Sequence, residues 1–176
     1  LIDFAKQNRL GFRGHTLLWH RPRRGLPQWL ESYDFGSRPS VEAERMVVEY
    51  IDKLTGRYGD IIQSWDVVNE TVDQKTGELR ETALSRRLGR QEVVEIAFHA
   101  ARRAAPKAQL VYNDYMSWEQ GGEVHRTGVL KLLESLLAKK VPVDALGVQS
   151  HIHPENADAA TGYGRPQERK WRAFLD

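Results

Sequence analysis

Apolar residues gather in four short runs, at residues 10–19 (LGFRGHTLLW), 61–69 (IIQSWDVVN), 108–115 (AQLVYNDY) and 145–151 (ALGVQSH). Each is bounded by turn-forming or polar positions and reads as a β-strand. Between the runs the apolar spacing becomes that of a helix. Val41, Met46, Val47, Tyr50, Ile51 and Leu54 recur after Ser40 and predict a helix running to Gly56. A second helix is predicted over residues 91–105, stopped by Pro106. A third covers residues 123–140, stopped by Pro142, with Val129, Leu130, Leu132, Leu133, Leu136 and Leu137 on its apolar side. The end segments LIDFAKQNR and ERKWRAFLD also carry helical spacing, and the chain reads as the middle of something larger.

Strands that alternate with helices predict a parallel sheet covered by helices, in a (β/α)8 barrel or a doubly wound sheet. No glycine-rich phosphate loop follows any of the runs, which argues against a nucleotide-binding fold. A complete (β/α)8 barrel takes about 250 residues, so a chain of this length corresponds to roughly four of the eight units.

The polar residues sit at the carboxy-terminal ends of the strands. The first run carries His15, Trp19 and His20, the second Asn69 and Glu70, the third Asn113, Asp114 and Tyr115, and the fourth Gln149, His151 and His153. In a barrel all these ends open on one face, where the chemistry resides. Amides and imidazoles can hydrogen-bond hydroxyl groups, and Trp and Tyr offer flat apolar faces for a sugar ring. The expected ligand is a neutral polyhydroxylated molecule. Charge agrees: 26 basic and 24 acidic residues are nearly balanced, and the basic patches are short and scattered. Nothing here points to nucleic acid or a membrane surface, and no apolar run is long enough to span a bilayer. Cysteine is absent, which removes disulfides and a thiol nucleophile. No cofactor or metal is called for, and the oligomeric state is not legible.

The segments RGHTLLWH, WDVVNE, YNDY and GVQSHIH, in this order and at these separations, resemble the glycoside hydrolase family ten endo-1,4-β-xylanases. The resemblance implies a (β/α)8 barrel with strands three to six present. It also implies retaining hydrolysis of internal β-1,4-xylosidic bonds in xylan. Glu70 matches the general acid/base, which must be protonated in the resting enzyme. Asn69 matches the residue that binds the 2-hydroxyl of the sugar being cleaved, and His15 and Trp19 match residues that hold and stack that sugar. Gln149 matches a contact to nucleophile and substrate, and His151 the imidazole beside the nucleophile. Asn113 and Tyr115 match the nearby wall. The resemblance also implies a cis peptide at His15-Thr16. Asp66 and Asp114 read as structural partners, and Trp65, Tyr112 and Trp118 as packing residues. Trp171 stays unassigned.

The family's nucleophilic glutamate lies in a Thr-Glu-Leu-Asp-like motif, and no such motif occurs in this chain. Glu155 and Asp158 sit in a polar loop and are not candidates for that role. Residues 1–176 are therefore expected to be a partial catalytic domain, truncated at both ends and inactive alone. Two departures from the family stand out: Met116 after NDY, and the basic Arg21-Pro22-Arg23-Arg24 after LLWH. Three rival readings are a non-catalytic sugar binder, a cellulase, and a metal-dependent barrel hydrolase in which His15 and His20 converge on the His151/His153 pair. A polymeric substrate implies a secreted or periplasmic protein.

Overall fold

The computed structural model describes residues 1–59, 61–117 and 122–151, together with Arg169, Arg172 and Ala173. Four parallel strands form one sheet in sequence order: β1 (Phe12–Trp19), β2 (Ile62–Asn69), β3 (Gln109–Asp114) and β4 (Ala145–Val148). The helices are α1 (Ile2–Gln7), α2 (Pro39–Tyr58), α3 (Ser85–Leu88), α4 (Glu92–Ala104) and α5 (Glu123–Ala138), with a 3-10 turn at Gln28–Ser32. Each run of the sequence pattern yields a strand, and each spacing change yields a helix.

β2 is the central strand in the chemical sense. Trp65, Asp66, Val67, Val68 and Asn69 are consecutive buried residues, the pattern of a parallel strand covered on both faces. α2 turns Ala43, Val47, Ile51 and Thr55 inward, and α4 turns Val93, Val94, Ala97, Phe98, Ala100 and Ala101 inward. Against these lie Leu17, Val67 and Leu110 from the strands. α5 contributes Val129, Leu132 and Leu136. Tyr112 is fully buried and Trp65 nearly so, as packing residues should be, and Met116 is likewise in the core.

α2 differs from expectation at both ends. Ser40 does not cap it. Pro39 opens the helix, where its fixed φ fits and its missing N–H is not needed, and Arg38 is the preceding residue. Gly56 does not stop it either; the helix continues to Tyr58 because Thr55, which bonds back to Ile51, is held in the core. Val41 and Tyr50, taken as apolar-face residues, are exposed. The 3-10 turn and the four-residue α3 are too short to show periodicity. Of the carboxy-terminal segment read as helical, Arg169, Arg172 and Ala173 are described and helical. No described helix is long and apolar enough to cross a membrane.

Candidate active site

The dipeptide Asn69-Glu70 ends β2 on the strands' carboxy-terminal side. In an extended strand successive side chains point to opposite faces. Here they do not. Gln149 Nε2 lies 3.2 Å from Asn69 Oδ1 and 3.0 Å from Glu70 Oε1, so both side chains meet one amide. The backbone explains this: Glu70 has φ 56, in the left-handed region. Its N–H donates to the Asn113 carbonyl at 3.0 Å, which anchors the turn to β3.

The Glu70 carboxylate is 5 % exposed and fully engaged. Oε1 accepts from Gln149; Oε2 accepts from Trp19 Nε1 at 3.2 Å and from Arg21 at 2.5 Å. Burial alone pushes the carboxyl up. The hydrogen bonds from Gln149, Arg21 and Trp19, with the Arg21 charge, outweigh it and hold Glu70 below the usual carboxylate range. As it stands, this is an ionised carboxylate.

An amide cluster flanks it. The Asn69 carboxamide lies 2.9 Å from Asn113 Nδ2, and both residues are buried. In the opposite orientation of the Asn69 amide, its oxygen accepts from Trp19 Nε1 at 3.2 Å. Gln149 is oriented from outside by His151, whose Nε2 is 2.7 Å from Gln149 Oε1 and whose ring is exposed. On the β1 side His15 is half exposed. Its Nδ1 is 2.8 Å from the buried Asp66, and its ring sits 6.3 Å from that of Trp19. The His15-Thr16 peptide is cis, as the resemblance implies.

Tyr115 closes the opposite wall. Its hydroxyl accepts from Arg80 at 2.9 Å, and the Arg21 guanidinium lies 5.4 Å from its ring centre. Burial pushes the Tyr115 phenol up despite the neighbouring Arg80 and Arg21 charges, which keeps it a neutral donor. Asp114 is fully buried behind it. It accepts from the Tyr112 hydroxyl at 2.5 Å and the Tyr115 N–H at 2.8 Å, with His125 Nε2 at 3.1 Å. Asp66 and Asp114 thus hold other side chains in place.

His15, Trp19, Asn69, Glu70, Asn113, Tyr115, Gln149 and His151 therefore form one connected patch. His20 does not belong to it. It is fully buried, with Nδ1 2.7 Å from Thr71 Oγ1 and Nε2 2.9 Å from Thr82 Oγ1. Desolvation, aided by the Arg80 charge, lowers its pKa to about 4, so it is a neutral core imidazole. The convergence of His15 and His20 on a metal thus fails on the His20 side. Among the described residues no group of three or more His, Asp or Glu side chains is arranged to hold a metal ion. His153, Glu155, Asp158, Trp118 and Trp171 lie outside the described residues. The sequence pattern missed two residues. Arg80 bonds the Glu70 carbonyl at 3.2 Å, Asp73 at 2.7 Å and Tyr115, while Arg21 bonds Glu70 itself. Both stand in loops where an arginine reads as solvated. Only the unusual basicity after LLWH hinted at Arg21.

Comparisons with known proteins identify the family and the fold. The family model described as Glycosyl hydrolase family 10 matches residues 1–167. Endo-1,4-beta-xylanase B of Paenibacillus barcinonensis is 38% identical over 164 residues, which is 90% of this chain and 47% of the relative. Endo-1,4-beta-xylanase 3 of Hypocrea jecorina is 38% identical over 154 residues, 86% of this chain and 41% of the relative. Among solved structures, xylanase 10B of Thermotoga petrophila RKU-1 in complex with xylobiose superposes with a TM-score of 0.78 at 29% identity. It covers 99% of this chain, which covers 49% of it. The chain spans about half the length of the curated relatives it matches. Its parallel sheet and helices are the corresponding part of a (β/α)8 barrel. This chain belongs to glycosyl hydrolase family 10.

Proposed function

We propose that the protein is a retaining endo-1,4-β-xylanase in which Glu70 is the general acid/base. The observation that carries this reading is the Glu70 carboxylate set among Trp19, Gln149 and the Asn69 amide, with His15 presented beside Trp19. Trp19 and His15 would hold the sugar being cleaved, and Asn69 would bind its 2-hydroxyl, a bond that strengthens as oxocarbenium character develops. Asn113 and Tyr115 shape the wall, and His151 fixes the Gln149 amide. Xylan or xylo-oligosaccharides are the proposed substrate, and a polymer of that size favours a secreted or periplasmic location.

Retention needs a second carboxylate about 5–5.5 Å from the first. Endo-1,4-beta-xylanase B of Paenibacillus barcinonensis is matched over 47% of its length, and the reading takes the nucleophile from the part that is not matched. A like charge at that distance raises a carboxyl, supplying the protonated state that Glu70 lacks among the described residues. Residues 1–176 alone are accordingly proposed to be inactive.

The test uses the protein as its natural host makes it. Glu70→Gln should lower kcat on unactivated xylan by about 10²-fold or more, the usual contribution of a positioned general acid. Xylan should also be preferred to carboxymethyl-cellulose. A Glu70→Gln protein with parental activity on xylan overturns the assignment.

A further inference from the structure

The turn after β1 folds tightly back on itself. The Arg21 N–H donates to the Trp19 carbonyl at 2.8 Å, and the Gly25 N–H donates to the Arg21 carbonyl at 2.9 Å. Arg23 takes a left-handed φ of 63. A β-carbon at Gly25 would fall 2.0 Å from the Trp19 carbonyl oxygen, so the turn closes only with glycine there. Arg21 is thereby aimed at the site by its backbone. Its side chain is 26% exposed, and it bonds Glu70 Oε2 at 2.5 Å while lying over the Tyr115 ring.

Both oxygens of Glu70 are thus occupied by protein donors. Gln149 and Trp19 are uncharged and can stay beside a neutral carboxylic acid. Arg21 is held differently: its bond to Oε2 is an ion pair, and protonation of Glu70 removes the negative charge that keeps the guanidinium there. Among the described residues, the other charged or titratable groups around this centre are committed elsewhere. Arg80, from the loop after β2, bonds the Glu70 carbonyl oxygen, Asp73 and the Tyr115 hydroxyl. His15, from β1, faces Asp66, and His151, after β4, faces Gln149. Asp114, at the end of β3, is closed off by Tyr112 and His125.

We propose that Arg21 is a positioning residue that guards the acid/base group: its guanidinium occupies the place on Glu70 Oε2 that the glycosidic oxygen must take, and it withdraws along the Tyr115 ring before Glu70 can protonate a leaving group. The inference rests on the reading of Glu70 as acid/base. Arg21 opposes the second carboxylate in setting the charge of Glu70, so it places the alkaline limit of activity lower than the pair of glutamates alone would.

The experiment compares the natural protein with its Arg21→Gln and Arg21→Lys variants, labelled with carboxyl-¹³C glutamate. The Glu70 resonance is assigned by its loss in Glu70→Gln and followed across pH. The same proteins are assayed for kcat/KM against pH on xylo-oligosaccharides. In Arg21→Gln the Glu70 carboxyl should titrate at higher pH than in the parent, and the alkaline limb should move up with it. Arg21→Lys keeps the charge and should stay near the parent in both readouts. An unmoved titration in Arg21→Gln overturns the pairing. A moved titration with an unmoved alkaline limb overturns the guard. Parental activity of Glu70→Gln on unactivated xylan overturns the acid/base reading instead, and leaves the titration result standing.

Discussion

Asp66 holds His15 by its Nδ1 at 2.8 Å, and with its other oxygen it binds the guanidinium of Arg13. The carboxylate accepts only, so His15 must carry its proton on Nδ1. In the neutral imidazole Nε2 is then the acceptor, fixed in direction as the proposed sugar contact requires. Asp66 is buried while both its partners are half exposed.

Asp66→Asn should therefore act on binding more than on folding. Arg13 and His15 can turn to water, so the loss of stability should be about 1–2 kcal/mol. His15 loses its orientation, and xylobiose affinity should fall about tenfold, or ~1.4 kcal/mol. Calorimetric titration of the natural protein with xylobiose reads this directly. An unchanged Kd means that His15 needs no such holder.

Arg80 serves three acceptors at once: the Glu70 carbonyl, the Asp73 carboxylate and the Tyr115 hydroxyl. A lysine carries the charge but not the planar fork, so it cannot face all three. Arg80→Lys should destabilise by about 2 kcal/mol, as the largely buried side chain leaves acceptors unmatched. Urea unfolding of parent and variant gives the number, and a midpoint unaltered in Arg80→Lys counts against the three-way clamp.

His20 should make the fold acid-sensitive. Its pKa falls from 6.5 to about 4 on burial. Between those values the unfolded chain takes up a proton that the folded chain does not, so stability rises with pH across that window and is lost as pH falls. Stability is unaffected by this group above about pH 6.5, and about 3 kcal/mol of it is lost by the time pH has fallen to about 4. Thermal melts of the parent and of His20→Gln from pH 7 to pH 4 separate it from other groups. The stability difference between the two proteins should shrink as pH falls, and a constant difference would refute the assignment.

The sheet was legible because a parallel strand covered on both faces needs a continuous apolar run, and β2 supplies one. Element ends were less legible, because α2 runs through Gly56 on the strength of packing around Thr55 that no local signal announces. Among the site residues, alternation carried information that strand-end position did not. Trp19 and His20 are neighbours on one strand end, yet one meets Glu70 and the other is sealed against Thr71 and Thr82. Arg21 and Arg80 were hidden for a different reason. Arg21 finds Glu70 49 residues away, and Arg80 joins the nearby Glu70 and Asp73 to Tyr115, 35 residues away; a loop arginine carries no mark of which acceptors it will find.

The left-handed backbone at Glu70 sets folding and chemistry against each other at a single position. That conformation disfavours a residue with a long side chain by about 1–2 kcal/mol, whereas glycine or asparagine adopts it with little strain. A search for stability alone would replace Glu70 early and lose the carboxylate in doing so. The glutamate stands where the backbone disfavours it, a cost that the proposed acid/base role would account for.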